Sequence, residues 1–197
     1  MAPLSYRQWS GVAVLAVILG CAASKGASGT TQVSLNELAP EASPGAKAVL
    51  NYNGQLVDVD LVHKLEGANE TIDLDLNGET LEHETYLRTA RMFALKEADG
   101  DQFEPPLPLI SVDSTTPWTG QITSGGVGHA ASATVVTTLD SLKAKPVALS
   151  ATLTTVTLEL ESGGPKKASR TLKFWMVKGR GVVAREFSAG VKRLPAD

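Results

Sequence analysis

Three histidines, one cysteine and a recurring set of carboxylates are the side chains of this 197-residue chain that offer chemistry beyond packing. His63 and His83 present imidazole nitrogens, and with Ile72 between them they read as a candidate cavity wall. A metal site needs several converging ligands. Two imidazoles separated by an intervening strand lie roughly 10 Å apart at the backbone, and nothing in the spacing brings His129 beside them, so no metal is assigned. Asp58, Asp60, Asp73 and Asp75 recur with a period of two, which gathers carboxylates on one face of a strand pair as a candidate cation or partner face. Like charges opposed across a hairpin destabilise it. Calcium would offset them, but it takes about six to eight oxygens from a bent loop, and flat strands supply those poorly. A solvated acidic face is the simpler expectation, with a basic protein partner as the alternative.

Cys21 is the only cysteine, so no internal disulfide can form and the thiol is free for modification. Catalytic signatures are missing: there is no Gly-x-Ser-x-Gly elbow, no phosphate-binding Gly-x-x-x-x-Gly-Lys loop and no His-Glu-x-x-His pair. Gly125-Gly126-Val127-Gly128 lacks the lysine and the following helix pattern and reads as a turn. The expectation is a protein that is not an enzyme and carries no cofactor. A net charge of −3 and only 5% aromatic residues argue against nucleic acid as a partner. Lys166, Lys167, Arg170, Lys173, Lys178, Arg180, Arg185, Lys192 and Arg193 make the C-terminal part locally basic. On alternating strands such residues lie mostly on the solvent side.

The elements that must hold these residues are strands. Alternation with a period of two recurs along the chain, and no long stretch shows the spacing of an amphipathic helix. Val57 to Leu65 places Val57, Val59, Leu61 and His63 on one face, and Thr71 to Asn77 does the same with Ile72, Leu74 and Leu76. Asn77-Gly78 is the signature of a type I′ hairpin. Pairing outward from it sets Leu74 opposite Leu81, Ile72 opposite His83 and Asp73 opposite Glu82. The turn around Glu66 to Asn69 sets His63 opposite Ile72 and Asp60 opposite Asp75. An inner row His63, Ile72, His83 follows, with Glu82 and Glu84 joining the four aspartates outside. Pro105, Pro106 and Pro108 interrupt the ladder and predict a crossover. The parity change within Pro146 to Glu161 predicts a bulge or bend near Thr154-Thr155. The fold expected is mainly β: a single antiparallel, strongly curved sheet, a half-barrel or open barrel built from long hairpins.

The N-terminal segment has its own logic. Arg7 precedes the apolar run Gly11 to Gly20, which is too short to span a bilayer as a helix of about 20 residues and reads as a signal-peptide core. Ile18-Leu19-Gly20-Cys21 resembles the lipobox of bacterial lipoproteins, in which the cysteine receives diacylglycerol and becomes the first residue after cleavage. The alternative is an ordinary signal peptide cut near Ala22 or Ala23. The resemblance implies three parts: residues 1–20 as a leader, 21–46 as lipid anchor and flexible tether, and 47–197 as the β domain. A coil of that length reaches roughly 25 to 30 Å, and Val33 to Leu38 is the part of it able to pack on the domain. Ala22 after the cysteine implies, by the same resemblance, the outer membrane facing the periplasm.

Phe174-Trp175-Met176-Val177-Lys178-Gly179-Arg180-Gly181-Val182-Val183 resembles the ending of bacterial secreted domains of unknown function, and Pro105 to Leu109 with Trp118-Thr119-Gly120 resembles their middle. Those domains are in turn similar to the half-barrel lipoprotein-localisation factors. The resemblance implies a curved sheet around an apolar groove and assigns no binding residue. The function expected is therefore that of a non-catalytic envelope lipoprotein, tied to the membrane by its N-terminal lipid. It would bind an apolar small molecule or lipid, or, through its acidic face or basic C-terminal hairpin, another envelope protein.

Overall fold

A computed structural model describes residues 11–14, 35, 47–52, 55–113, 117–143, 148–160, 168–179 and 181–188. Cys21, the lipobox residues Ile18, Leu19 and Gly20, and nearly all of the expected tether lie outside the described residues. Twelve strands are formed: β1 (Gly11–Val14), β2 (Lys47–Tyr52), β3 (Gln55–Glu66), β4 (Asn69–Leu76), β5 (Glu79–Arg88), β6 (Met92–Ala98), β7 (Asp101–Ser111), β8 (Trp118–Ser124), β9 (Val127–Lys143), β10 (Ala148–Leu160), β11 (Ala168–Val177) and β12 (Gly181–Ser188). Each pairs antiparallel with the next, so the sheet order is the sequence order. Short β1 adds to the edge of β2, and the eleven strands β2 to β12 make the body of a mainly β, single antiparallel sheet of hairpins. No ladder joins β12 back to β1 among the described residues, so the sheet is not closed by hydrogen bonds.

Local rules account for the hairpins. Asn77 and Gly78 both take positive φ (54° and 86°), as a type I′ turn requires. The first two pairs beyond the turn, Leu76 with Glu79 and Asp75 with Thr80, follow from it. The β3–β4 hairpin has the expected register, with His63 opposite Ile72 and Asp60 opposite Asp75.

Beyond Asp75 the β4–β5 register departs from expectation. A shift between Leu74 and Asp75 leaves Leu81 as the extra residue, so Leu74 faces Glu82, Asp73 faces His83 and Ile72 faces Glu84. One added residue exchanges the two faces of the rest of the strand. Tyr86 is thereby carried into the core, where it stacks on Phe93 with ring centroids 5.0 Å apart. His83 goes outside, and the expected inner row is reduced to His63 and Ile72.

Two other expectations are corrected. The chain does not cross over at its prolines: β7 runs on through Pro105, Pro106 and Pro108. The ladder yields instead, since no β6 partner faces Phe103 to Pro106 and β8 pairs only with Asp101 to Glu104. Where proline cannot donate, the Trp118 indole N–H donates to the Pro105 carbonyl at 3.1 Å. Gly120 allows this close approach, for a Cβ there would strike the Glu104 carbonyl and the Trp118 ring. β10 carries no bulge at Thr154-Thr155 either; its pairing with β9 runs unbroken from Ala148 to Leu160. The parity change marks a change of buried face. Val156, Leu158 and Leu160 join the main core, whereas Ala151 packs on the opposite face with Trp175, Val183 and Ala184.

The main core is continuous from Ala48 and Leu50 of β2 through Tyr86, Phe93 and Leu107 to Phe174, Met176 and Val182 of the last hairpin. Leu35, the one described residue of the Val33 to Leu38 segment, packs against it.

Candidate functional site

The core-facing side of β3 to β7 carries more charge than its apolar pattern suggests. Glu70, Glu84 and Asp101 are buried there, and Arg185 and Glu186 are buried on β12. Isolated ions are not tolerated in such surroundings, so each must be held by partners. Two groups form.

The first centres on His63 of β3. Its Nε2 lies 3.0 Å from Glu70 Oε1, and Arg88 grips the other carboxylate oxygen with Nε at 3.0 Å and a terminal nitrogen at 2.6 Å. Arg88 also lies over the Phe93 ring. The imidazole, 8% exposed, is thus oriented by a carboxylate that is itself oriented by a guanidinium. Its Nδ1 is buried and has no hydrogen-bond partner among the described residues. Ile72 is directly opposite on β4 and buried.

The second group joins distant strands. Arg185 of β12, only 3% exposed, reaches Glu82 and Glu84 of β5. Glu84 accepts the Tyr86 hydroxyl at 2.5 Å. Beside them Arg170 of β11 donates to Asp101 of β7 at 2.7 Å. Burial pushes the Glu84 carboxyl above its ordinary range, while the Arg185 charge and the Tyr86 hydroxyl oppose that shift. Burial likewise raises the Tyr86 phenol, with the Glu84 charge adding to it. For Arg185, burial favours losing the proton, but Glu84 and Glu82 together outweigh it and hold the guanidinium above its ordinary value. At the β6–β7 turn, burial and then the Glu82 charge raise Asp99 from 3.8 to about 6, against the pull of Arg185.

The sequence-predicted residues are distributed differently. His83 is 46% exposed on the outer face, 2.6 Å from Asp73, and cannot share a cavity wall with His63. Asp58, Asp60, Asp73 and Asp75 do share the outer side, yet Asp60 is met by Lys47 at 2.6 Å, Asp73 by Lys64 at 3.6 Å as well as His83, and Asp75 by the Thr80 hydroxyl at 2.7 Å. Glu82 and Glu84, expected beside them, face the core because of the Leu81 bulge. Among the described residues no group of three or more His, Cys, Asp or Glu side chains is arranged to hold a metal ion. The basic C-terminal part is also partly consumed internally, through Arg185, Arg170 and the Lys173–Glu186 pair at 3.3 Å.

Sequence reasoning missed Glu70, Glu84, Tyr86, Arg88, Asp99, Asp101 and Arg185 as one inward-facing set. One signal was available: Arg185-Glu186 interrupts an otherwise apolar stretch, Val182-Val183-Ala184 before it and Phe187 after, and alternation sends the two charges to opposite faces. A cation there needs a buried acid from elsewhere in the chain. Compared with protein-family models, curated proteins and solved structures, the chain matches none.

Proposed function

We propose that this protein is a lipid-anchored, non-catalytic component of a bacterial envelope, whose sheet binds an apolar small molecule or lipid with one polar group. The observation that supports this reading is His63. A histidine fixed through Nε2 by the Glu70–Arg88 pair, with a buried Nδ1 left unpartnered, has spare hydrogen-bonding capacity beside apolar Ile72 and Leu61. Such a group is costly to bury for stability alone and suits a ligand that brings a hydroxyl or carbonyl with its hydrocarbon. A half-barrel curvature belongs to the proposal. It is supported by Arg185 on β12 meeting Glu82 and Glu84 on β5, strands far apart in the ladder order. Anchoring through Cys21 would tether this surface to the outer membrane, within reach of lipid. Recognition of another envelope protein through the acidic face has less support, since Asp60, Asp73 and Asp75 are already offset by groups of the same sheet.

Native mass spectrometry of protein purified from membranes tests this. The expected result is a retained apolar species that is lost from His63→Phe, where the ring fills the space, and retained more weakly by His63→Gln. Folded wild-type protein that carries nothing from any membrane preparation would overturn the proposal.

A further inference from the structure

The hydrogen bond that orients His63 also fixes where its proton sits. A neutral imidazole carries one N–H and one lone pair, and the groups around the ring decide which nitrogen has which. Glu70 Oε1 lies 3.0 Å from Nε2, and a carboxylate accepts without donating. Its other oxygen is taken by Arg88, through Nε at 3.0 Å and a terminal nitrogen at 2.6 Å, so the carboxylate is held in place and its charge is offset. The proton therefore sits on Nε2 and points at Glu70, which leaves Nδ1 as a bare acceptor. That acceptor is buried and has no partner among the described residues.

The surroundings restrict what can meet it. Leu61 and Leu65 flank His63 on the same face of β3, Ile72 stands opposite it, and Leu65 stands opposite Glu70. Ile72 is buried, whereas Leu65, toward the β3–β4 turn, is 53% exposed. The imidazole thus lies where the apolar face passes from core to solvent, which gives a hydrocarbon a way in. An ammonium donor would bring an unmatched cation to this place, because Glu70 is already paired with Arg88. An ether, ester or carboxylate would set lone pair against lone pair. We propose that Nδ1 of His63 selects a ligand by accepting a hydrogen bond from an uncharged hydroxyl, so that the ligand is a long-chain alcohol or a lipid with a free hydroxyl. This assignment rests on His63 being a ligand contact at all, and narrows the polar group from hydroxyl or carbonyl to hydroxyl. Glu70 and Arg88 are positioning residues that act through the imidazole. Glu70→Gln should invert the preference: Arg88 would hold the amide oxygen and turn the amide N–H toward Nε2, so the proton moves to Nδ1 and the site donates to a carbonyl.

The test uses the full chain and its Glu70→Gln variant, isotope-labelled at the histidine nitrogens, at about pH 8, where imidazole is ordinarily neutral. Nuclear magnetic resonance of the ring nitrogens reads the tautomer, with His63→Phe identifying the His63 signals. The probes share one chain length: decanol, methyl decanoate, decyl methyl ether and decanoate, with binding read by titration calorimetry. Expected for the wild type are a proton on Nε2, an Nδ1 resonance that decanol displaces, and binding of decanol at least tenfold tighter than of the other three. In Glu70→Gln the proton should lie on Nδ1, the advantage of decanol should be lost, and methyl decanoate should gain. A wild-type proton on Nδ1, or equal binding of all four compounds with Nδ1 served by solvent, would overturn the inference and leave the ligand reading standing. So would a preference for decanol that Glu70→Gln leaves unchanged. Failure of all four to bind would remove the ligand reading, and this assignment with it. Should Glu70→Gln fail to fold, the wild-type tautomer and order of binding decide.

Discussion

Replacing Asp99 by asparagine should stabilise the protein at neutral pH. Asp99 opens the β6–β7 turn with φ of 56°, a left-handed conformation that asparagine tolerates as well as aspartate, so the change removes a charge and leaves the turn. Burial raises its carboxyl from 3.8 to about 6, and the Glu82 charge adds to this against Arg185. The native state therefore holds the proton more tightly than the unfolded chain. Stability contributed by this group is present in acid, falls as the pH rises from about 4 to about 6, and is a net cost above that. The span from 3.8 to about 6 corresponds to roughly 3 kcal/mol. Asp99 is only partly buried, and solvent screening reduces the expected effect to about 1 to 1.5 kcal/mol. Urea unfolding of wild type and Asp99→Asn at several pH values between about 4 and 7 reads it directly. The variant should be the more stable at pH 7, and the difference should vanish near pH 4. Because every other acid titrates in both proteins, the difference isolates Asp99. A gap that is independent of pH, or a variant less stable at pH 7, would refute the reasoning.

Arg185→Met should cost about 3 to 5 kcal/mol in denaturant unfolding, because Glu82 and Glu84 lose the cation that offsets their burial; adding Glu84→Gln should recover part of the loss, and a loss below about 1 kcal/mol would contradict the ion-pair account. Gly120→Ala should cost about 1 to 3 kcal/mol, since its methyl must displace the Glu104 carbonyl or the Trp118 ring; an unchanged melting temperature would show that the close approach at the prolines is not required. Cys21→Ser should abolish acylation and release the protein from the membrane pellet, read by mass spectrometry and fractionation, and unaltered processing would sink the anchor reading.

The hairpin logic was legible where a turn and a strand pair agree. Asn77-Gly78 and the alternation of Val57 to Leu65 against Thr71 to Leu76 set the β3–β4 register and the first pairs of β4–β5. Legibility ended at Leu81. A bulge is invisible in a pattern where both parities carry plausible core residues, and either Leu81, His83 and Leu87 or Glu82, Glu84 and Tyr86 would satisfy alternation. What selects the second set is the Tyr86–Phe93 stack together with Arg185, which lies about a hundred residues away in the chain.

Period-two alternation and the turn residues act between chain neighbours, so most strands, the β3–β4 hairpin and the outward aspartates were legible in the sequence, whereas the unbroken sequential order through Pro105, Pro106 and Pro108 was not. Which of two equivalent faces is buried depends on partners brought together only by the folded sheet. The inward turn of Glu82 and Glu84, the outward turn of His83, and the Glu70–Arg88 clasp on His63 were for that reason decided by tertiary structure: a buried charge is stable only beside its counterion, and the counterion for β5 comes from β12.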